Sequence, residues 1–583
     1  MFIVRRRTRA LSCTSSPSSF STFTSHAFPW TPLRTSTSTT RSTSPVLWLT
    51  RQIRSIAASP LTDYRQPIQE QTLPADHLAS LDDRIKIFPS PMPRSYTDAV
   101  DKLNGLQTNF AALEAVRSSG GGANKHAIPE MVEFVQRSGY NPEDMDDLNL
   151  IHVTGTKGKG STCALIESIL RNYEGKTKLK TGLYTSPHLM EVRERIRING
   201  EPISQDLFAK YFFEVWDRLD SSGDKSKPGY FRFLTVLAFH VFKQEKVDVA
   251  ILEVGVGGAY DSTNIIKKPI VCAISALGID HVSVLGSTLG EIAWNKGGIF
   301  KNGVPAVTCE QPEEGLKVLQ SRAKELGASS LQIIPAFSDE ELKNQTIGLA
   351  GKHQVANAAL ASAVCRIWIE KVLNQKIEAP KGTIPKEFSK GLSSARWPGR
   401  GQIIVRDDKP KITWFFDGAH TAESIRVCAS WFKDASLSNI HGTVKKILVF
   451  NCTGPRDGDT LLGPLAKIQS AIHFDQAVFT PAITFASNTY KGDLVNNNAA
   501  MDPELKTQNA LASSWIKQVR MTTGSESEEV KTTVLPSIEH TVNWVDDYVK
   551  REANLGVDNV QVLVTGSLHL VGGVQSVLGC EVV

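Results

Sequence analysis

The sequence predicts an α/β protein: a doubly wound parallel-sheet domain built around a P-loop, followed by a smaller α/β domain. Three observations carry this expectation. Strand-like runs alternate with helical ones over roughly 250 residues from Ser95 onward, the pattern of a parallel sheet with crossover helices. Within it, "LNLIHVTGTKGKGSTCALIESIL" (Leu148 to Leu170) reads as strand, glycine-rich turn and helix. A Pro- and Gly-bearing break, "SSARWPGRGQ" (Ser393 to Gln402), then separates this alternation from a second one.

Taken in chain order, residues 1–62 come first, with eight Arg, no Lys and no acidic residue. Of the first 60 residues, 24 are Ser or Thr. An Arg-rich, Ser-rich, acid-free leader fits a mitochondrial transit peptide, and a merely disordered tail is the alternative. In "LWLTRQIRSIAAS", Leu49, Ile53 and Ile56 share one helical face, with Arg51 and Arg54 off it. Residues 63–94 read as a linker.

The leader also explains the charge. The whole chain carries 65 basic and 60 acidic residues; removing the eight leader arginines leaves 57 against 60, a net of −3, which suggests no nucleic-acid surface. The length of 583 residues suits two or three domains, and 41% hydrophobic with 21% charged residues is a soluble globular composition. No apolar run reaches the ~18 residues of a spanning helix. The eight cysteines are scattered without CxxC pairs and read as small buried hydrophobes in a reducing compartment.

The first domain is expected over residues 95–398. Its strand-like runs are "LNLIHVT", "KTGLYTS", "VDVAILEVG", "PIVCAISAL" and "VPAVTC". In "GTKGKGS" (Gly155 to Ser161), glycines let backbone N–H groups close around oxyanions, and the helix N-terminus adds partial positive charge. Lys159 would reach the β/γ phosphates and Ser161 could approach a metal; a bland glycine turn is the alternative. The usual G-x-x-x-x-G-K-[ST] spacing is absent, because Gly160 stands between Lys159 and Ser161, which argues against ordinary GTPases and motors.

Ligands of open α/β sheets sit beyond the carboxyl ends of strands, so strand-end residues matter most. "AILEVGVGGAYDSTN" ends a strand with Glu253, a natural Mg²⁺ ligand beside a phosphate loop or else a capping carboxylate. "AISALGIDH" ends in Asp280 and His281, the latter a ligand or a structural histidine. "TSPHLMEVRERIRING" presents Ser186 and His188 on a turn, then Arg193, Arg195 and Arg197, suited to an anionic substrate or to an alternating charged strand face. Lys296 in "EIAWNKGGIF" reads by itself as a surface lysine.

The second domain, residues 399–583, carries the strand-like runs "KITWFFDGAH", "KKILVFNCTG", "AIHFDQAVFT" and "VQVLVTGSLHL". Two polar stretches, Thr489 to Asn509 and Thr522 to Thr532, are expected as surface loops inserted into it.

Together "GTKGKGS", "TSPHL..VRERI", "EVGVGGAYDSTN", "LGIDH", "NKGGIFK", "GKHQVANAALA", "WPGR" and "DGAH" resemble the folylpolyglutamate synthases of the Mur ligase superfamily. The resemblance runs from Ser95 to the C-terminus, and "YFRFLTVLAFH" and "DGAHT" look like eukaryotic members. It implies a Mur-type arrangement with a Rossmann-like second domain that works on glutamate. It also implies a reaction: the terminal carboxylate of a folate attacks the γ-phosphate of ATP, and the amine of L-glutamate then displaces phosphate from the acyl phosphate.

Carried over residue by residue, the resemblance gives the ATP phosphates to Gly155, Gly158, Lys159, Gly160 and Ser161. It gives Mg²⁺ to Ser186, Glu253 and His281, and the nucleotide to Asn357, Arg400 and Asp417. His420 falls near the phosphate, and His188 and Arg193 on the substrate side. Lys296 matches a lysine that bacterial relatives carbamylate to help bind a second metal. The implied partners are ATP, L-glutamate and tetrahydrofolate polyglutamates, with Mg²⁺ and a monovalent cation such as K⁺. The expected state is a monomer in the mitochondrial matrix, there associated with the inner membrane or free, and in the cytoplasm. Dihydrofolate synthase, a Mur-type cell-wall ligase and an inactive nucleotide-binding relative are the rival readings.

Overall fold

The structure is a computed structural model that describes residues 94–107, 126–175, 178–223, 226–380, 382–406, 410–438, 442–452, 457–486, 491–495, 504–527 and 529–583. The expected leader, and the linker up to residue 93, lie outside the described residues. The first described helix, Tyr96–Asn104, starts where the sequence places it: Ser95 caps it and Asp98 closes a reciprocal capping box.

Two sheets follow. The first holds β1 (Ile151–Thr154), β2 (Thr181–Tyr184), β3 (Ile196–Ile198), β4 (Glu201–Pro202), β5 (Val249–Glu253), β6 (Val271–Ile274), β7 (Pro305–Cys309) and β8 (Ser330–Ile334), in the order β4-β3-β2-β5-β1-β6-β7-β8. The second holds β9 (Gln402–Arg406), β10 (Lys411–Asp417), β11 (Val444–Phe450), β12 (Gln476–Phe479), β13 (Thr532–Val534) and β14 (Asn559–Thr565), in the order β13-β12-β11-β14-β10-β9. Central strands such as β1, β5 and β14 are buried along their whole length, because helices cover both faces of a parallel sheet.

Each sheet also has an antiparallel edge beside its parallel strands. β3 runs against β2 and β4 against β3, and β9 runs against β10. The first reversal is written locally: Asn199 and Gly200 take positive φ of 53° and 86° between β3 and β4, the geometry of a tight hairpin turn.

The glycine-rich turn leads into the helix Lys159–Arg171, which is buried continuously from Ser161 to Leu170. It lies against helices His353–Val372 and Lys386–Ser394. The crossing with the latter is close: a Cβ on Gly391 would meet Ile169 Cα at 2.4 Å. Apolar cores fill both faces of each sheet, around Phe208 and Phe239 or Leu165 and Trp368 in the first, and around Phe432 and Trp515 or Trp414 and Val562 in the second.

In its described residues the first polar stretch in the second half of the chain holds more regular structure than the surface loop expected there. A 3₁₀ turn, Gly492–Leu494, lies within the first, and the helix Lys506–Thr523 begins inside it and buries Leu511, Trp515 and Val519. The second stretch runs from the end of that helix into β13. The polarity of the first misled because Asp493 bonds to another part of the protein, as described below, whereas the described residues of the second are the expected loop between helix and strand.

Candidate active site

The carboxyl ends of β1, β2, β5 and β6 face those of β10 and β14 across a cleft of about 1160 Å³. From the first sheet come Gly158, Lys159, Gly160, Ser161, Ser186, His188, Glu253 and His281; from the end of the Ser393–Gln402 break comes Arg400, and from beyond it Asp417 and His420. Residues more than 250 positions apart, such as Lys159 and Asp417, therefore line one cavity.

The loop is held by its neighbours. The N–H groups of Thr156 and Lys157 donate to Ala276 O at 2.9 and 3.0 Å, and Ser275 Oγ donates to Lys157 O at 2.7 Å. Lys157 pairs with Asp280 at 2.8 Å, tying the loop to the segment that carries His281. Gly158 has φ of 81°, a left-handed conformation that favours glycine, and a Cβ there would stand 2.5 Å from Asn357 Oδ1. The helix starts immediately after it, so the amides of the first turn lack intrahelical acceptors, and Gly158 to Ser161 line the cleft.

Asn357 does not line the cleft but braces the loop from behind. Its Nδ2 donates to Gln354 Oε1 at 2.9 Å, and Gln354 Nε2 donates to Ser161 Oγ at 3.3 Å. Lys296 is likewise beneath the loop: its side chain is buried, and Nζ donates to Gly155 O at 2.7 Å. Burial first, then the charge of Lys159, holds its ammonium well below the usual lysine range, so Lys296 is not the surface lysine that its local sequence suggests.

Glu253, at the end of β5, accepts from Ser186 N–H at 2.9 Å. Burial raises its pKa, opposed by Lys159 and Arg400. His281 occupies a left-handed position at φ 51°, and burial lowers its pKa. Among the described residues no cluster of three or more His, Cys, Asp and Glu side chains could hold a metal alone. Glu253, His281 and Ser186 all line the cleft, a donor set that would leave a hard divalent cation to take its remaining ligands from phosphate and water.

Across the cleft, Asp417 ends β10. Its two oxygens accept from Gly401 N–H and Ala419 N–H, both at 2.9 Å. Burial raises its pKa and Arg400 opposes this. Helix Ala422–Ser438 is entered through mutual bonds of Thr421 and Ser424, so Asp417 is not its cap. His420 lines the cleft with Nδ1 on Gly418 O at 2.8 Å.

The three arginines separate. Arg193 binds Glu191 at 2.5 Å and Ile203 O at 3.0 Å and does not line the cleft, while Arg195 and Arg197 do. A spacing of two would put all three on one face of a strand; they separate because Arg193 and Arg195 lie in a 3₁₀ turn, Val192–Arg195, ahead of β3. Trp397, under the Arg197 guanidinium at 5.1 Å, also lines the cleft, as do Tyr230, His353, Asp493 and His569, none of which the sequence singled out. For Trp397 the signal was present, since it shares the "WPGR" motif with Arg400; for Asp493 there was none.

No protein-family model matches the chain. Folylpolyglutamate synthase of Saccharomyces cerevisiae (strain ATCC 204508 / S288c) is 45% identical over 497 residues, spanning 82% of this chain and 86% of the relative. Mycobacterium tuberculosis folylpolyglutamate synthase complexed with ADP superposes with a TM-score of 0.60 at 22% identity, covering 84% of this chain and all of that one. E. coli FolC in complex with ADP superposes with a TM-score of 0.56 at 26% identity, covering 77% of this chain and 93% of that one. The fold agrees with both structures, and identity of that extent to the yeast enzyme decides the kinship: this chain belongs to the folylpolyglutamate synthase family.

Proposed function

We propose that this protein is an ATP-dependent ligase that adds L-glutamate to the γ-carboxylate of tetrahydrofolate and its polyglutamates, releasing ADP and phosphate. The observation that carries the reading is the single cleft, into which a phosphate loop opens from one sheet and Arg400 and Asp417 project from the other. Kinship with the yeast enzyme names the substrates.

The chemistry sets a problem that these residues answer. A carboxylate attacking a triphosphate brings two anions together, so positive potential must be in place beforehand. In this reading Lys159 and the first-turn amides of the helix hold the phosphates, and Arg400 approaches from the opposite wall. Arg195 meets a substrate carboxylate. Glu253, His281 and Ser186 would hold a divalent cation, read as Mg²⁺, which supplies further neutralisation of phosphate charge. Lys296 shapes the loop from beneath, and its neutral amine is the form that takes up carbon dioxide as a carbamate. His420 lies on the phosphate side. Walls from two domains orient the reactants and exclude water that would hydrolyse an acyl phosphate.

Residues 1–62 are assigned to mitochondrial import, on their acid-free, arginine-rich composition, with a cytoplasmic form as well. Among the described residues no helix is long and apolar enough to cross a membrane. The deciding experiment is phosphate release from ATP. It should require glutamate and tetrahydrofolate together, and dihydropteroate should not replace the folate; release with dihydropteroate would instead make the protein a dihydrofolate synthase.

A further inference from the structure

The 3₁₀ turn Gly492–Leu494 belongs to the second half of the chain, yet it is bonded to the first. Asp493 Oδ1 accepts from Tyr96 OH at 2.6 Å and from Val192 N–H at 2.8 Å. Gly492 O accepts from Asn104 Nδ2 at 2.8 Å, while Lys491 Nζ donates to Ser576 Oγ at 2.9 Å within its own domain. Asp493, Leu494 and Val495 thereby form a wall of the cleft.

The strap reaches one residue deeper. His188 Nε2 stands 2.9 Å from Asp493 O, and Arg195 Nε donates to His188 Nδ1 at 2.9 Å. An arginine Nε–H can only donate, so Nδ1 is the acceptor and Nε2 carries the proton, which it donates to the Asp493 carbonyl. Both ring nitrogens of His188 are thus engaged by protein, and the ring orients Arg195. That arginine is 8% exposed, lines the cleft, lies over the Tyr230 ring at 5.5 Å and forms no ion pair among the described residues. A buried guanidinium without a carboxylate partner is a receptor for one.

We propose that Asp493 is a positioning residue: it seats the strap of the second domain on the first and, through His188, aims Arg195 at a carboxylate of the folate or of glutamate. This rests on the ligase reading above. Substrate recognition in the first domain then depends on a side chain from the second, so the site is complete only when the two are joined.

Because a single oxygen of Asp493 takes both donors, Asp493→Asn can keep both bonds and Asp493→Leu neither. In the full chain, Asp493→Leu should raise the KM for tetrahydrofolate or glutamate at least tenfold and leave that for ATP within about twofold. Asp493→Asn should return it to within about threefold of wild type, and Tyr96→Phe, which deletes one donor and little else, should fall between. Wild-type KM values in the Leu and Phe variants, an equal rise for ATP, or an Asn variant as impaired as the Leu variant would overturn the proposal. Hydrogen exchange of the Val192 amide reads the strap without turnover: it should speed up at least tenfold in Asp493→Leu, and unchanged exchange would refute the docking itself. Failure of the wild-type protein to use any folate would refute the ligase reading and leave the exchange result standing.

Discussion

Gly158→Ala is the sharpest single test of the phosphate loop. At φ 81° an L-residue is left-handed, which costs roughly 1–2 kcal/mol. The added Cβ would also stand 2.5 Å from Asn357 Oδ1 and 3.0 Å from its Nδ2, inside contact distance. Asn357 must then move, breaking its bond to Gln354 and loosening the bond from Gln354 to Ser161; a buried hydrogen bond of this kind contributes about 1 kcal/mol. The sum is about 2–3 kcal/mol. If the loop shifts to relieve it, the phosphates lose their aligned amides, and kcat/KM for ATP should fall roughly 30- to 150-fold at about 1.4 kcal/mol per decade. If the loop does not shift, the same energy should appear as lost stability. Initial rates against ATP concentration, paired with thermal unfolding, capture both. Combining the change with Asn357→Ala removes the collision but not the backbone cost, so the double variant should lose less than the two single losses together. Wild-type kcat/KM together with wild-type stability in Gly158→Ala would refute the reasoning outright.

Asp417→Ala strands the N–H groups of Gly401 and Ala419 and removes one of the two carboxylates whose charge Arg400 feels, so it should cost about 1–3 kcal/mol of stability and lower kcat at least tenfold; lower stability with normal single-turnover phosphate transfer would sink the bridging role. Glu253→Gln should shift the Mg²⁺ midpoint for activity upward at least tenfold, and an unchanged titration returns Glu253 to a structural part. His152 is fully buried, with its pKa held down to about 3 by burial, below the ~6.5 of an unfolded histidine, so the unfolded chain takes up the proton first. Its contribution is intact above pH ~6.5 and is lost as pH falls toward 3, so between pH ~6.5 and ~4.5 His152→Leu should flatten the decline in unfolding free energy by about 2 kcal/mol; an unaltered slope in denaturant titrations would exclude this account. A fusion of residues 1–62 to a reporter should enter mitochondria, and cytosolic retention would leave only the disordered-tail reading.

Much of the arrangement is legible in the chain because it is local. The unbroken apolar run of β5, the turn of glycines after β1 and the helix behind it follow from periodicity and backbone freedom within about 20 residues. The Asn199–Gly200 hairpin is local too, although the runs chosen as strands passed over it. The short strands β8, β9 and β13 are harder: none of their residues is fully buried, so the apolar signal is weak.

The sequence by itself determined the two α/β alternations, the glycine-rich turn between β1 and its helix, and the strand-end carboxylates Glu253 and Asp417. Those depend on hydrogen bonding and side-chain spacing between near neighbours, which a linear pattern records. Only the tertiary structure decided that Lys296 is buried beneath Gly155, that Arg195 rather than Arg193 faces the cleft, and that Asp493 reaches Tyr96 and Val192. A charge on a polar stretch looks the same in sequence whether water or a distant backbone amide satisfies it. The difference lies in desolvation and in partners as far as 397 positions away, which exist only once the chain has closed on itself.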